Sequence, residues 1–129
     1  MLPTSVLLIE DNCDDEYLAL RTLRKAGIAS IVVARDGREA LDLLLGADQP
    51  PPEFVLLDLR LPVVDGLEVL ATLRRHERTK ALPVLILSSS EDPHDREVCS
   101  RLGVVAYLGK PLDLIEFQRA LTTLPDGAR

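Results

Sequence analysis

The chain has 129 residues, a formal net charge of −6 and a hydrophobic content of 47%. This length is typical of one domain with its own core, so we expect a single domain over residues 1–129 and no effector domain. The negative charge opposes binding to a nucleic-acid backbone, no apolar run reaches the ~20 residues of a membrane span, and no basic segment precedes the first apolar residues. We therefore expect a cytoplasmic protein that binds neither nucleic acid nor membrane directly.

Short apolar runs alternate with longer amphipathic segments along the chain. Five runs have the length of strands and little polar alternation: Val6 to Ile9, Ile31 to Ala34, Phe54 to Leu57, Val84 to Leu87 and Val104 to Leu108. Strands that are apolar on both faces are typical of parallel sheets with helices on both sides. The pattern therefore predicts an α/β fold.

The segments between these runs carry the signals of helix ends. Asp36, Asp65 and Asp113 each stand three residues before a glutamate, which is the spacing of a capping box. Asp92 precedes Pro93, and proline is favoured at the first position of a helix. Three glycines stand where the first, second and fourth helices should stop: Gly27, Gly46 and Gly103.

The order of elements is a strand followed by a helix, repeated five times. Right-handed crossovers then predict a five-stranded parallel sheet in the order 2-1-3-4-5 between two layers of helices. Ligands of such open sheets bind beyond the carboxyl ends of the strands. The residues at these ends are Glu10 and Asp11 after strand one, Asp58 after strand three, Ser88 after strand four and Lys110 after strand five. We expect them to share one cleft.

The predicted cleft has the groups that handle a phosphoryl group. Three carboxylates in one cleft repel one another, and a hard divalent cation such as Mg²⁺ relieves that repulsion. A nucleophilic carboxylate, a metal ion, a fixed lysine and a hydroxyl donor together suit the transfer of a phosphoryl group.

At these residues the sequence resembles the response-regulator receiver domain of two-component signalling. The motifs that carry the resemblance are "IEDN", "LLDLRLPVVDG", "LSSSED" and "AYLGKPLD", and the match extends from Val6 to about Leu124. The resemblance implies a CheY-like, flavodoxin-like three-layer fold. "LSSSEDP", the long segment before Pro83 and the insertion around Pro50 are most similar to the stand-alone regulators of bacterial phytochrome histidine kinases.

The resemblance implies a role for each acidic residue of the cleft. Asp58 is expected to accept a phosphoryl group from the phosphohistidine of a sensor histidine kinase. Glu10 and Asp11 are expected to hold Mg²⁺ directly or through water. Asp58 and the backbone carbonyl of Arg60 complete the expected metal site. The protein is then a phosphoacceptor that catalyses its own phosphorylation and dephosphorylation, not an enzyme with a separate substrate.

The resemblance also implies a conformational switch. Lys110 is expected to pair first with Asp58 and then with the phosphoryl group. Ser88 is expected to rotate inward onto the phosphoryl oxygens, and Tyr107 is its aromatic partner in the switch. The Lys110–Pro111 peptide bond is expected to be cis.

The output is expected to be onward phosphotransfer or contact with a downstream protein. The resemblance places it on helix four, strand five and helix five, where homodimerisation is a candidate. The residues predicted for this surface are the charged Glu97, Arg101 and Arg119 with the apolar Val98, Leu102, Leu114 and Phe117, of which some must belong to the core. A second surface is predicted on helix one, where a stripe of Leu18, Ala19, Thr22, Leu23 and Ala26 faces the sheet and leaves Tyr17 and Leu20 outside it.

Other functions remain open at this point. A phosphorylation-independent interaction module with the same fold is the main alternative, although such modules usually lose one of the required groups. A hydrolase with a catalytic aspartate is disfavoured, because Arg60 stands where a second acid would be needed. Flavin binding is weaker still, because no loop rich in glycine, serine and threonine follows strand one.

Overall fold

The computed structural model describes residues 3–46, 48 and 50–124. Its centre is a parallel sheet of five strands: β1 (Ser5–Ile9), β2 (Ser30–Ala34), β3 (Phe54–Leu57), β4 (Val84–Ser88) and β5 (Ala106–Gly109). The strand order is β2-β1-β3-β4-β5, and every neighbouring pair is parallel. The predicted fold class and strand order are confirmed.

Five helices cover the two faces of the sheet: α1 (Cys13–Lys25), α2 (Gly37–Leu45), α3 (Gly66–Arg75), α4 (Pro93–Arg101) and α5 (Leu114–Leu121). Helices α1 and α5 pack on one face, and α2, α3 and α4 pack on the other. Among the described residues, no helix has both the length and the apolar character that crossing a membrane requires.

Strand side chains alternate between two apolar cores. On β3, Phe54 and Leu56 face the α1 and α5 side, whereas Val55 and Leu57 face the other side. All four are fully buried, and each contributes about 1.5–3 kcal/mol of burial energy. Strand β2 departs from the expected coverage, because it lies at the edge of the sheet and leaves Val32 49% exposed.

The helix starts follow the predicted capping residues with one exception. Asp36 accepts a hydrogen bond from the backbone N–H of Glu39 at 2.7 Å, and Asp113 accepts one from Glu116 at 2.9 Å. Asp65 is the N-cap residue of α3, but its side chain accepts no capping hydrogen bond from a described residue. The spacing therefore locates all three starts, whereas the bond itself forms at two.

The buried face of α1 differs from the predicted stripe. Ala19 and Leu23 are buried as expected, but Leu18 is 40% exposed. Leu20 instead packs against the core between α1, α5 and the sheet. The exposed apolar pair on this helix is therefore Tyr17 and Leu18, and the prediction of Tyr17 with Leu20 is wrong. The predicted stripe contains Leu18 where the buried face of α1 contains Leu20, so the two faces differ by a small rotation about the helix axis.

Candidate functional site

The carboxyl ends of four strands meet at one edge of the sheet. Glu10 follows β1, Asp58 follows β3, Ser88 ends β4 and Lys110 follows β5. Strands β1 and β3 are paired in register, and the backbone N–H of Asp58 donates to the carbonyl of Ile9 at 3.0 Å. This pairing brings the acidic residues of the two strand ends side by side.

Glu10, Asp11 and Asp58 form an acidic cluster in which ligand oxygens lie within 4.8 Å of one another. Glu10 is fully buried, Asp58 is 5% exposed and Asp11 is exposed. Burial and the neighbouring Asp58 together raise the pKa of Glu10 to about 7, against the lowering effect of Lys110. The cluster therefore carries more negative charge than its surroundings stabilise well.

The donor set of this cluster fits a hard divalent cation. Oε1 of Glu10 lies 2.8 Å from Nζ of Lys110 as an ion pair, yet it accepts no hydrogen bond of normal geometry from the described residues. A buried carboxylate oxygen without a hydrogen bond is costly, and a metal ion satisfies it. Carboxylate oxygens are the ligands that Mg²⁺ and Mn²⁺ prefer.

Lys110 is a fixed cation in this cluster. Its Nζ lies 2.8 Å from Oδ2 of Asp15, 2.8 Å from Oε1 of Glu10 and 2.9 Å from Oδ2 of Asp58. Burial alone would lower the pKa of Lys110, but the three carboxylates outweigh it and raise the pKa above its ordinary value. The ammonium therefore stays charged at any physiological pH.

Both carboxylate oxygens of Asp58 are oriented. Oδ1 accepts a hydrogen bond from the backbone N–H of Arg60 at 3.0 Å, and Oδ2 accepts one from Lys110 at 2.9 Å. A cavity of about 420 Å³ is lined by Lys110 and by Ser88, Ser90 and other residues of the β4–α4 connection. This space adjoins the lysine that contacts Asp58.

A glycine fixes the loop that carries Asp58. The start of α3 lies so close to this loop that a Cβ on Gly66 would be 2.3 Å from the carbonyl oxygen of Asp58 and 2.5 Å from Cα of Leu59. The N–H of Gly66 donates to the carbonyl of Leu59 at 3.0 Å. The absence of a side chain at this position therefore allows the helix to hold the end of β3.

Tyr107 is tied to the loop between β4 and α4. Its hydroxyl donates to the carbonyl of Ser90 at 3.2 Å, and the guanidinium carbon of Arg96 lies 4.5 Å from the centre of its ring. Ser90 also donates its N–H to Oγ of Ser88 at 3.0 Å. The two residues of the expected switch thus contact the same serine. The Lys110–Pro111 peptide bond is cis.

Two residues of this region are not predicted from the sequence. Asp15 binds Lys110, and Asp95 binds both Arg60 and Ser90 at 2.7 Å. Both aspartates lie in the first turn of a helix, where acidic residues are common for electrostatic reasons alone. A usable signal existed for Asp95, because it lies four residues before the apolar Cys99 and so on the same buried face of α4.

The two cysteines are free. Cys13 is exposed at the start of α1, and Cys99 is buried in the core beneath α4. Burial raises the pKa of Cys99 to about 11, with Asp95 adding to the effect. Cys99 is therefore a packing residue.

The strand order, the acidic cluster and the buried lysine are those of the receiver domains of two-component signalling. A family model described as "Response regulator receiver domain" matches residues 6–122, and the chain belongs to this family.

Three relatives illustrate the similarity. The probable methanogenesis regulatory protein FilR2 of Methanothrix harundinacea is 38% identical over 128 residues, covering 96% of this chain and 83% of that protein. The solved structure of the bacteriophytochrome response regulator AtBRR is 41% identical, with a TM-score of 0.83 over 96% of this chain and 93% of its own. The Mn²⁺-bound structure of response regulator Rcp1 is 32% identical, with a TM-score of 0.77 over 91% of this chain and 88% of its own. Rcp1 is a protein of Synechocystis.

Proposed function

We propose that this chain is a response regulator in which Asp58 accepts a phosphoryl group from a phosphohistidine of a sensor histidine kinase. The observation that carries the proposal is the position of Asp58, buried between Lys110 and the acidic pair with both carboxylate oxygens oriented. Family membership supports the same reading. In the transfer, a carboxylate oxygen of Asp58 forms a bond to phosphorus while the bond from phosphorus to the histidine nitrogen breaks.

Glu10, Asp11 and Asp58 would hold Mg²⁺, with the backbone carbonyl of Arg60 as a further ligand. When bound, the ion neutralises charge that builds up on the phosphoryl oxygens. The Mn²⁺-bound structure of Rcp1 supports a divalent cation in this region. Lys110 remains next to the transferred group and pairs with its oxygens, because its ammonium already touches the accepting carboxylate.

The proposed switch passes through the β4–α4 connection. Ser88 turns its hydroxyl onto the phosphoryl oxygens, which removes the acceptor of the Ser90 N–H. Tyr107 then turns inward, which requires release of its hydrogen bond to the carbonyl of Ser90. Both movements are local changes of hydrogen bonding that alter one surface.

The proposed input is a sensor histidine kinase of the phytochrome type, which the names of AtBRR and of other similar structures support. Family membership supports a cytoplasmic exchange between kinase and regulator. The proposed output is a downstream protein or a phosphotransfer partner. A phosphorylation-independent module is not favoured, because the acceptor, the acidic pair, the hydroxyl and the lysine are all in place.

Incubation with acetyl phosphate tests the proposal without a kinase. Wild type and Asp58→Asn are incubated with and without Mg²⁺, and the intact mass is measured. We expect one added phosphoryl group in wild type with Mg²⁺ and none in the variant. Phosphorylation of Asp58→Asn to the wild-type level would refute the assignment of the acceptor, and an unmodified wild type would refute the proposed function.

A further inference from the structure

A buried carboxylate links helix α4 to the phosphorylation cleft. Asp95 lies in the first turn of α4 and is 3% exposed. Its Oδ2 accepts two hydrogen bonds, from Nη2 of Arg60 at 2.7 Å and from Oγ of Ser90 at 2.7 Å. A carboxylate buried this deeply persists when a cation and a hydrogen-bond donor compensate its charge, and Arg60 supplies the cation.

The backbone of Arg60 contacts Asp58, whereas its guanidinium contacts Asp95. Its backbone N–H donates to Oδ1 of Asp58 at 3.0 Å, so its Cα lies close to the accepting carboxylate. The guanidinium nevertheless binds Asp95, and the side chain is 58% exposed, which leaves it room to move. A phosphoryl group on Asp58 would place a second anion within reach of the same guanidinium.

Ser90 connects this ion pair to the switch residues. Its Oγ donates to Asp95 and accepts from the N–H of Asp92 at 3.2 Å. Its N–H donates to Ser88, and its carbonyl accepts from Tyr107. The carboxylate that holds Arg60 therefore also holds the loop that both switch residues contact.

We propose that Asp95 is a positioning residue that holds Arg60 away from Asp58, and that the phosphoryl group competes with Asp95 for the Arg60 guanidinium. This inference rests on the proposed function of Asp58. A phosphoryl group carries roughly two negative charges, and a guanidinium can bind two of its oxygens through parallel hydrogen bonds. Transfer of Arg60 to it leaves Asp95 without its cation, and this charge destabilises the resting arrangement of Ser90 and α4.

Competition for one cation has a consequence that simple support of the fold lacks. If Asp95 and the phosphoryl group share Arg60, removal of the Asp95 charge strengthens binding of a phosphoryl mimic. The effect must vanish when Arg60 is absent, because no cation is left to share. A residue that merely supports the fold would instead weaken binding, and by the same factor with or without Arg60.

Beryllofluoride binding in the presence of Mg²⁺ measures this competition. Its affinity is determined by NMR titration for wild type, Asp95→Asn, Arg60→Gln and the double variant. We expect Asp95→Asn to bind about fivefold more tightly than wild type, which is the scale of one partly exposed ion pair. In the Arg60→Gln background the same substitution should leave the affinity unchanged.

Asp92→Asn is the matched control. It removes the same charge from the start of the same helix, and the asparagine still caps α4, but Asp92 makes no hydrogen bond to Arg60 among the described residues. We expect this variant to bind the mimic like wild type. If Asp95→Asn and Asp92→Asn change the affinity equally, general charge accounts for the effect and the inference is overturned.

Each remaining outcome also decides the inference. An Asp95→Asn effect that is absent, reversed in sign, or equal in both Arg60 backgrounds overturns it while the proposed function stands. Wild type that fails to bind beryllofluoride with Mg²⁺ overturns the proposed function and the inference with it. Should Asp95→Asn not fold, the Nε–H resonance of Arg60 in wild type decides, because the mimic must shift it if the guanidinium changes partner.

Discussion

At the scale of single residues, the site is organised around charges that are buried together. Lys110 is shared among Asp15, Glu10 and Asp58, and no other lysine or arginine bonds to these three carboxylates among the described residues. One cation therefore faces several anions, and the cluster favours the binding of a further cation. The cost of this charge is largest at Glu10, which is fully buried and whose pKa is raised to about 7.

The pKa of Glu10 predicts how stability depends on pH without metal. The pKa of Glu10 in the folded protein is about 7, which is above the ordinary value of 4.5. Between these two pH values the folded protein holds a proton on Glu10 that the unfolded chain has released. The stability this proton contributes is complete below the ordinary value and is lost as the pH rises through the folded value. In the presence of a chelator, Glu10→Gln should therefore be more stable than wild type at about pH 8, by roughly 3 kcal/mol.

Urea denaturation across the pH range measures this difference. It should shrink to nothing below about pH 4.5, where Glu10 is protonated in both states. Glu68→Gln removes an exposed glutamate of α3 and should leave the pH dependence as in wild type. A Glu10→Gln variant that is less stable than wild type at both ends of the pH range would contradict the account.

At the scale of elements, the position of Asp58 depends on how closely α3 approaches the end of β3. Gly66→Ala puts a methyl group 2.3 Å from a backbone oxygen, which cannot move without shifting the loop. We expect a loss of about 1–3 kcal/mol in the free energy of unfolding and slower phosphorylation by acetyl phosphate. Gly109→Ala is the matched control beside Lys110, because its added Cβ meets no described atom within 4 Å. Equal stability of the two variants would show that α3 does not constrain the loop.

Arg74 joins α3 to the two elements that follow it. Its Nε donates to the carbonyl of Leu102 at 2.7 Å, and its Nη1 donates to the carbonyl of Leu82 at 2.8 Å. Burial lowers the pKa of Arg74, although several carbonyl oxygens still surround its charge. The end of α4 is thus fixed through α3, on the side of the molecule away from Asp58.

A lysine cannot reproduce this set of bonds. Arg74→Lys keeps the charge but loses the planar fork, and we expect it to cost about 2 kcal/mol in the free energy of unfolding. Arg75→Lys is the control, because Arg75 is exposed and bonds to Thr72 on its own helix. Urea denaturation of both variants measures the difference. If they lose equal stability, the bonds to the carbonyls of Leu82 and Leu102 contribute nothing net.

The elements also show what a sequence can and cannot predict here. Strand runs, capping spacing and chain order specify the sheet and its edge, because they depend on local chemistry and on the handedness of crossovers. The sequence does not show whether Leu18 or Leu20 lies on the buried face of α1, because both residues are apolar and stand at opposite borders of the predicted stripe. Asp95 was missed because its role requires Arg60, which is 35 positions earlier in the chain.

At the scale of the whole molecule, part of the apolar set predicted for the output surface belongs to the core, as expected. Phe117 is fully buried, and the centre of its ring lies 6.0 Å from the centre of the Phe54 ring. Phe117 therefore belongs to the core and not to the surface. Val98 is half-buried, whereas Ile115 of α5 is 60% exposed and was not predicted. The candidate interface on α4, β5 and α5 therefore combines few exposed apolar groups with charges, a composition suited to weak association.

Charge reversal tests whether this surface forms a homodimer. Arg101 pairs with Glu97 on α4, so Arg101→Glu places like charges together within one protomer and across a two-fold interface. We expect beryllofluoride with Mg²⁺ to increase the sedimentation coefficient of wild type but not of this variant. Arg38→Glu breaks an equivalent pair with Asp42 on α2 and should behave like wild type. Sedimentation that neither the mimic nor the reversal changes would favour a different protein as the partner.

Mapping the modified residue tests whether the end of β3 carries a metal-dependent phosphoacceptor. Wild type is incubated with acetyl phosphate and Mg²⁺, the product is reduced with borohydride, and its peptides are sequenced by mass spectrometry. Reduction of an acyl phosphate converts the aspartate to homoserine, so we expect homoserine at Asp58 in the Mg²⁺ sample and an unmodified chain with chelator. Homoserine at another aspartate, the corresponding alcohol at a glutamate, or an unmodified Asp58 in the presence of Mg²⁺ would refute the assignment.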